Sequence, residues 1–244
     1  MNYTKIYTAV LKVYQDCDIH SFPFSCEDVI SHYGYRLISY RQAAEQRKEL
    51  YDICMLCSQD AFLDKNNHMI LYNPHALSNR PRFSLMHELG HIILEHQGED
   101  DEQEKEANMF AEMLLAPPMA VHYSRLREPD RISSAFEISY DAACCALNQY
   151  YRWYEYVLAS KMSSQDKQMY RHFYDEEAKC FVWTRHTCNI CHSTILNSPL
   201  KTCPSCPSKV YVSYTPTYIP SKNMLHTVQD HTLRRAEQRW LYDV

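Results

Sequence analysis

His87 and His91 stand four residues apart in HELGH, and Glu88 follows the first of them. On a helix turning about 100° per residue, the two imidazoles lie roughly 40° apart on one face. Glu88 sits on the flank of that face, about 100° from His87. Two imidazoles so arranged can each offer a ring nitrogen to one ion, at about 2.0–2.1 Å if the ion is zinc. With a third protein ligand and a water in the fourth position, the metal would lower the pKa of that water towards ~7. Glu88 would then stand where it can take the proton. The competing possibility is a pair of ordinary core histidines, in a chain that has 13 histidines to place.

The HExxH pattern carries the same chemistry in zinc peptidases, and its third ligand defines the type. A HExxHxxGxxH arrangement would need glycine where this chain has Leu94 and histidine where it has Gln97, and His96 is one position short. The third ligand is therefore sought on the next helix, among Asp100, Asp101, Glu102, Glu104 and Glu106. The apolar face there is Ala107, Phe110, Ala111, Leu114 and Leu115. Glu104 lies about 50° from its centre and Glu106 about 110° away on the opposite flank. Glu104 is the choice, with Glu106 as the fallback. Asn108, one turn after Glu104, could bond a ligand histidine from behind. Asp101 and Glu102 suit the positive end of the helix dipole.

A second group of metal-binding residues lies towards the C-terminus. Cys188, Cys191, Cys203 and Cys206 read CxxC, eleven residues, CxxC. Two such knuckles close a zinc tetrahedron of four thiolates with no open position, a structural site whose ion supplies folding energy to a fragment with little core. His186 and His192 are alternative ligands. Cys54 and Cys57 form a third CxxC without a partner pair and read as apolar positions.

These groups need elements to position them. Apolar spacing predicts a helix over residues 3–16, and Ser25 caps a second that stops at Gly34. Residues 35–39 read as a strand, residues 41–49 as a solvated helix, and residues 60–73 as two strands around Lys65-Asn66-Asn67. Phe83 to about Glu95 should be a buried helix, apolar on most of its circumference. A strongly helical stretch ends at Pro117-Pro118, and residues 131–160 are mostly helical with Ser139 or Asp141 as cap. The expected division is a domain over 1–160, a polar linker over 161–179, a zinc ribbon over 180–215 and a tail over 216–244 that is helical in part. Only three glycines are present, so turns must use Asn, Asp, Ser and the eleven prolines.

RFSLMHELGHIILEH followed by EKEANMFAEMLLAP resembles the ImmA/IrrE family of metallopeptidases, over roughly residues 20–150. The resemblance implies an α+β, zincin-like metallopeptidase domain with a small antiparallel sheet and an active-site helix, here followed by the zinc ribbon. It implies that His87, His91 and Glu104 hold a catalytic zinc and that Glu88 is the general base. With the four-cysteine site, two Zn2+ are expected, one catalytic and one structural. Family members are linked to cleavage of helix-turn-helix repressors, so the resemblance implies a DNA-binding repressor as protein substrate. The alternative is a regulatory module that binds a repressor or nucleic acid through the zincin fold and ribbon without cutting it. An intact Glu88 speaks against that.

A peptidase holds its substrate extended, and Met69, Ile70, Leu71 and Tyr72 are expected to offer a strand edge for it. Arg80, Arg82, His122 and Tyr123 are candidates for stabilising an oxyanion, with no basis for choosing among them. Lys179, Arg185, Lys201 and Lys209, with the aromatic Trp183, Tyr211 and Tyr214, leave protein or nucleic-acid contact through the ribbon open. The aromatics suit a small ribbon core. The net charge of −5 argues against non-specific nucleic-acid binding by the whole molecule. The N-terminus, interrupted by Lys5 and Lys12, lacks the pattern of a signal peptide, and no membrane span is expected. A cytoplasmic location follows as an expectation.

Overall fold

The computed structural model describes residues 2–46, 49, 51, 52, 55, 58, 60–74, 79–97 and 100–206. Cys54, Cys57, Lys209, Tyr211, Tyr214 and the tail over 216–244 lie outside the described residues.

Helix α1 (Tyr3–Asp16) begins at Asn2, whose side chain accepts the N–H of Lys5. Helix α2 (Cys26–His32) is capped by Ser25, which accepts from Asp28. Strand β1 (Arg36–Ser39), helix α3 (Tyr40–Gln46), strands β2 (Ala61–Asp64) and β3 (Met69–Tyr72) follow. Then come α4 (Arg80–Ile93), α5 (Asp101–Leu115), α6 (Pro118–Ser124), α7 (Pro129–Phe136) and α8 (Tyr140–Ala159). Ser139 caps α8 by accepting from Ala142. Helix α9 (Ser164–Phe173) leads into β4 (Tyr174–Asp175), β5 (Cys180–Phe181), β6 (Arg185–Thr187) and β7 (Thr194–Leu196). The fold is α+β.

The first sheet runs β1-β3-β2. β2 and β3 pair antiparallel and β1 pairs parallel to β3, so the sheet is mixed rather than purely antiparallel. This corrects the expectation for Met69, Ile70, Leu71 and Tyr72. They form the middle strand, hydrogen-bonded on both sides, and have no free edge. The near-continuous apolar run MILY fits such an interior strand, with Met69, Ile70 and Leu71 buried. Among the described residues no strand pairs with the outer side of β2.

Residues 161–179 are not a linker. Ser163 caps α9 in a reciprocal capping box with Asp166. Asp166 is buried, and its carboxylate also accepts from Tyr7 Oη and Trp153 Nε1, each at 2.9 Å. Met169, Tyr170 and Phe173 fill the core face. The polar composition that resembled a linker is a cap, a buried hydrogen-bond network and one wet face.

The main core joins Ile6, Val10 and Tyr14 of α1 to Met86 and Leu89 of α4 and to Phe110, Ala111 and Leu114 of α5. Phe136, Phe173, Phe181 and Trp183 extend it towards the cysteine-rich segment. Trp183 thus packs in the main core and not in a separate ribbon core. No helix among the described residues is long and apolar enough to cross a membrane.

Candidate metal centre

Helices α4 and α5 form the site by approaching closely. Gly90 faces α5, and a Cβ there would meet Phe110 Cδ1 at 3.1 Å and the Ala107 Cα at 3.2 Å. The missing side chain lets the backbones come together. Asp100 starts α5 by accepting the N–H groups of Glu102 and Gln103, so it serves as the cap and not as a ligand. Glu104 then falls opposite the two histidines.

His87 Nε2 and His91 Nε2 are 3.1 Å apart. Glu104 Oε2 is 3.3 Å from the first and Oε1 is 3.3 Å from the second. A tetrahedral ion with ligands at about 2.0–2.1 Å needs donors about 3.3–3.4 Å apart. The triangle therefore has the size of one face of a zinc tetrahedron, and the donor set is of a kind zinc prefers. Glu106, the fallback, is turned away towards His96.

The surroundings of the two rings suit metal binding. His87 Nδ1 is 2.9 Å from Asn108 Oδ1, an acceptor that suits a proton on Nδ1 and so would free Nε2 for an ion. His91 is buried. Burial above all, with the positive charge of Lys65 acting the same way, brings its pKa down to about 4, so its ring is uncharged at neutral pH. The structure thus brings together His87, His91, Glu104 and, behind them, Asn108.

The triangle opens into a cleft of about 840 Å³ that Glu88 also lines. Its other wall is Ala61, Phe62, Leu63 and Asp64 of β2, with Lys65 and Asn66 of the following turn. The four residues considered for an oxyanion lie elsewhere. Arg80 pairs with Asp60 at 2.9 Å, while Arg82 lies over the Phe24 ring and near Glu137. His122 sits among Tyr150, Trp153 and Tyr154, and Tyr123 stacks on Phe181. The polar side chains that do border the cleft include Ser58, Lys65, Asn66 and Gln97. No local motif marks them, because the cleft wall follows from the sheet order.

Cys188, Cys191, Cys203 and Cys206 form the other cluster, their sulfurs within 4.8 Å of one another. Cys191 Sγ and Cys203 Sγ are 3.5 Å apart, close to the ~3.8 Å that a Zn–S bond of about 2.3 Å requires. The backbone N–H groups of Cys191, Cys203 and Ile190 pull the Cys188 thiol down to about 6. Cys206, hydrogen-bonded to Cys191 and Cys203, is pushed up to about 12. Four sulfurs this close cannot all become thiolates without a cation among them. His186 Nε2 lies 2.5 Å from the Leu200 carbonyl, and His192 takes a turn position at φ 60°. Neither belongs to the cluster.

The model of a peptidase family described as the IrrE N-terminal-like domain matches residues 54–148, a span that holds the histidine pair, Glu88, Glu104 and β2. No curated protein matches the chain.

Proposed function

We propose, from the premise that residues 54–148 are an IrrE N-terminal-like peptidase domain, that this protein is a zinc endopeptidase acting on a regulatory protein. The observation that carries the reading is the triangle of His87, His91 and Glu104, with separations of 3.1, 3.3 and 3.3 Å, facing a cleft lined by Glu88. His87, His91 and Glu104 would hold a zinc ion, which when bound would supply Lewis acidity and bring the pKa of water at the site towards ~7. Glu88 takes the proton of the attacking water and passes it to the amine that leaves. Asn108 keeps the His87 ring in the orientation that presents Nε2. The substrate lies extended along the outer side of β2 and adds a strand by main-chain hydrogen bonds. Ala61–Asp64 replaces Met69–Tyr72 in that role because, among the described residues, only β2 has an unpaired side against the cleft. A second zinc, held by Cys188, Cys191, Cys203 and Cys206, is structural. The resemblance to the ImmA/IrrE family points to a helix-turn-helix repressor as the substrate.

Glu88→Gln tests the reading. It removes the base but leaves the three ligands and the fold, so zinc content should match the wild type while cleavage of a co-encoded repressor falls by at least about 100-fold. Fragments are read by gel and mass spectrometry. Binding of the repressor by the wild type without fragments would identify a non-cleaving module instead.

A further inference from the structure

Helix α4 ends in a Schellman turn. The N–H of Glu95 bonds to the Ile92 carbonyl at 3.2 Å and that of His96 to the His91 carbonyl at 3.1 Å, with Glu95 at φ 59°. Such a turn folds the second residue past the cap onto the third residue before it, and an apolar contact commonly joins them. Here the two positions hold His96 and His91. Their Nδ1 atoms are 3.1 Å apart. His96 is only 4% exposed, and its Nε2 faces Glu106 Oε2 at 3.4 Å. Glu106 Oε1 accepts the backbone N–H of Asn2 at 3.1 Å. Lys65 Nζ donates to the His96 carbonyl at 2.5 Å, and Lys5 Nζ to the Leu94 carbonyl at 3.2 Å, which ties down both sides of the turn.

We infer that His96 and Glu106 are positioning residues for His91, fixing which of its ring nitrogens is bare; the inference rests on the metal-centre reading above. An imidazole that gives its Nε2 lone pair to an ion keeps its proton on Nδ1. His91 Nδ1–H then needs an acceptor, and His96 Nδ1 is within reach. His96 can accept there only if its own proton is on Nε2, which lies 3.4 Å from the Glu106 carboxylate, near enough for attraction although no hydrogen bond is formed. The opposite arrangement would place the His91 proton on Nε2, against the ion, and a His96 lone pair against a carboxylate. The carboxylate therefore selects one order of protons along the chain. His87 obtains the same control in one step, from Asn108. The acidic residue not chosen as third ligand thus has its own function.

The test measures zinc affinity of the full chain by competition with a chelator. His96→Leu puts an apolar residue where the turn commonly has one, so the fold should survive. The zinc that His87→Ala also releases should bind about 10- to 100-fold more weakly in this variant. The zinc at the four cysteines should be unaffected. His96→Asn, whose amide oxygen can stand near the Nδ1 position, should recover most of the loss, and Glu106→Gln should show a smaller one. In the zinc-loaded wild type, long-range correlation spectra of ¹⁵N-labelled histidine should find His96 protonated at Nε2 and bare at Nδ1. A His96→Leu variant with wild-type affinity, or a wild-type His96 protonated at Nδ1, overturns the relay while leaving the metal centre standing. A wild type with no zinc sensitive to His87→Ala overturns both. If His96→Leu does not fold, the wild-type spectrum decides alone.

Discussion

In the proposed metal centre, each imidazole of the triangle would offer one nitrogen to an ion and keep its proton on the other. For His87 the acceptor of that proton would be Asn108 Oδ1 at 2.9 Å. Removing this acceptor should weaken ion binding without touching a ligand. Asn108→Ala is expected to lower affinity for the histidine-held zinc about 10-fold, and Asn108→Asp, which still accepts, should stay near the wild type. Chelator competition reads both. Equal affinities in Asn108→Ala and the wild type would make Asn108 a packing residue only.

At the scale of elements, the site depends on how near α5 comes to α4, and Gly90 sets that distance. The methyl of Gly90→Ala would meet the Ala107 Cα at 3.2 Å and its carbonyl oxygen at 3.3 Å, so backbone and not a flexible tip must give way. Moving α5 outward draws Glu104 from the histidine pair. Gly90→Ala should therefore destabilise the fold by about 1–3 kcal/mol despite the better helix propensity of alanine. It should also reduce zinc affinity, and denaturant unfolding with metal competition would show the two effects together. The helix pair is legible in the sequence because its signals are local: the spacing of His87 and His91, the apolar period after Glu104, and the run of acidic residues at the start of α5. Other features are not local. The edge role of β2 depends on β1 pairing with β3 from more than 30 residues away in sequence. The position of His96 depends on a turn at Glu95, where φ is 59° without the glycine that usually marks such a turn. The same departure recurs at Arg125 and Glu137, which end α6 and α7 in the left-handed region. In a chain with three glycines, charged residues take these positions, and the sequence loses its punctuation.

At the scale of the whole molecule, the question is whether the cysteine-rich end is a separate body. Its composition suggests one, but its entry segment belongs to the main core. Trp183 is 2% exposed and packs on Phe136, with ring centroids 5.8 Å apart. Its carbonyl accepts the Phe22 N–H at 2.9 Å. Asn197, directly after β7, fastens that strand to the entry segment: its Oδ1 accepts from Trp183 N at 2.8 Å and its Nδ2 donates to the Phe181 carbonyl at 2.7 Å. The cluster of Cys188, Cys191, Cys203 and Cys206 is thus anchored to the main core through a tryptophan and an asparagine. Trp183→Ala leaves all four thiols in place but empties a large buried site. It should cost the folded chain about 3–5 kcal/mol, read as a shift in the main unfolding transition, with zinc still bound at the cysteines. A change within about 0.5 kcal/mol, the range of an exposed substitution, would mean that the two parts fold independently and that the contact is incidental.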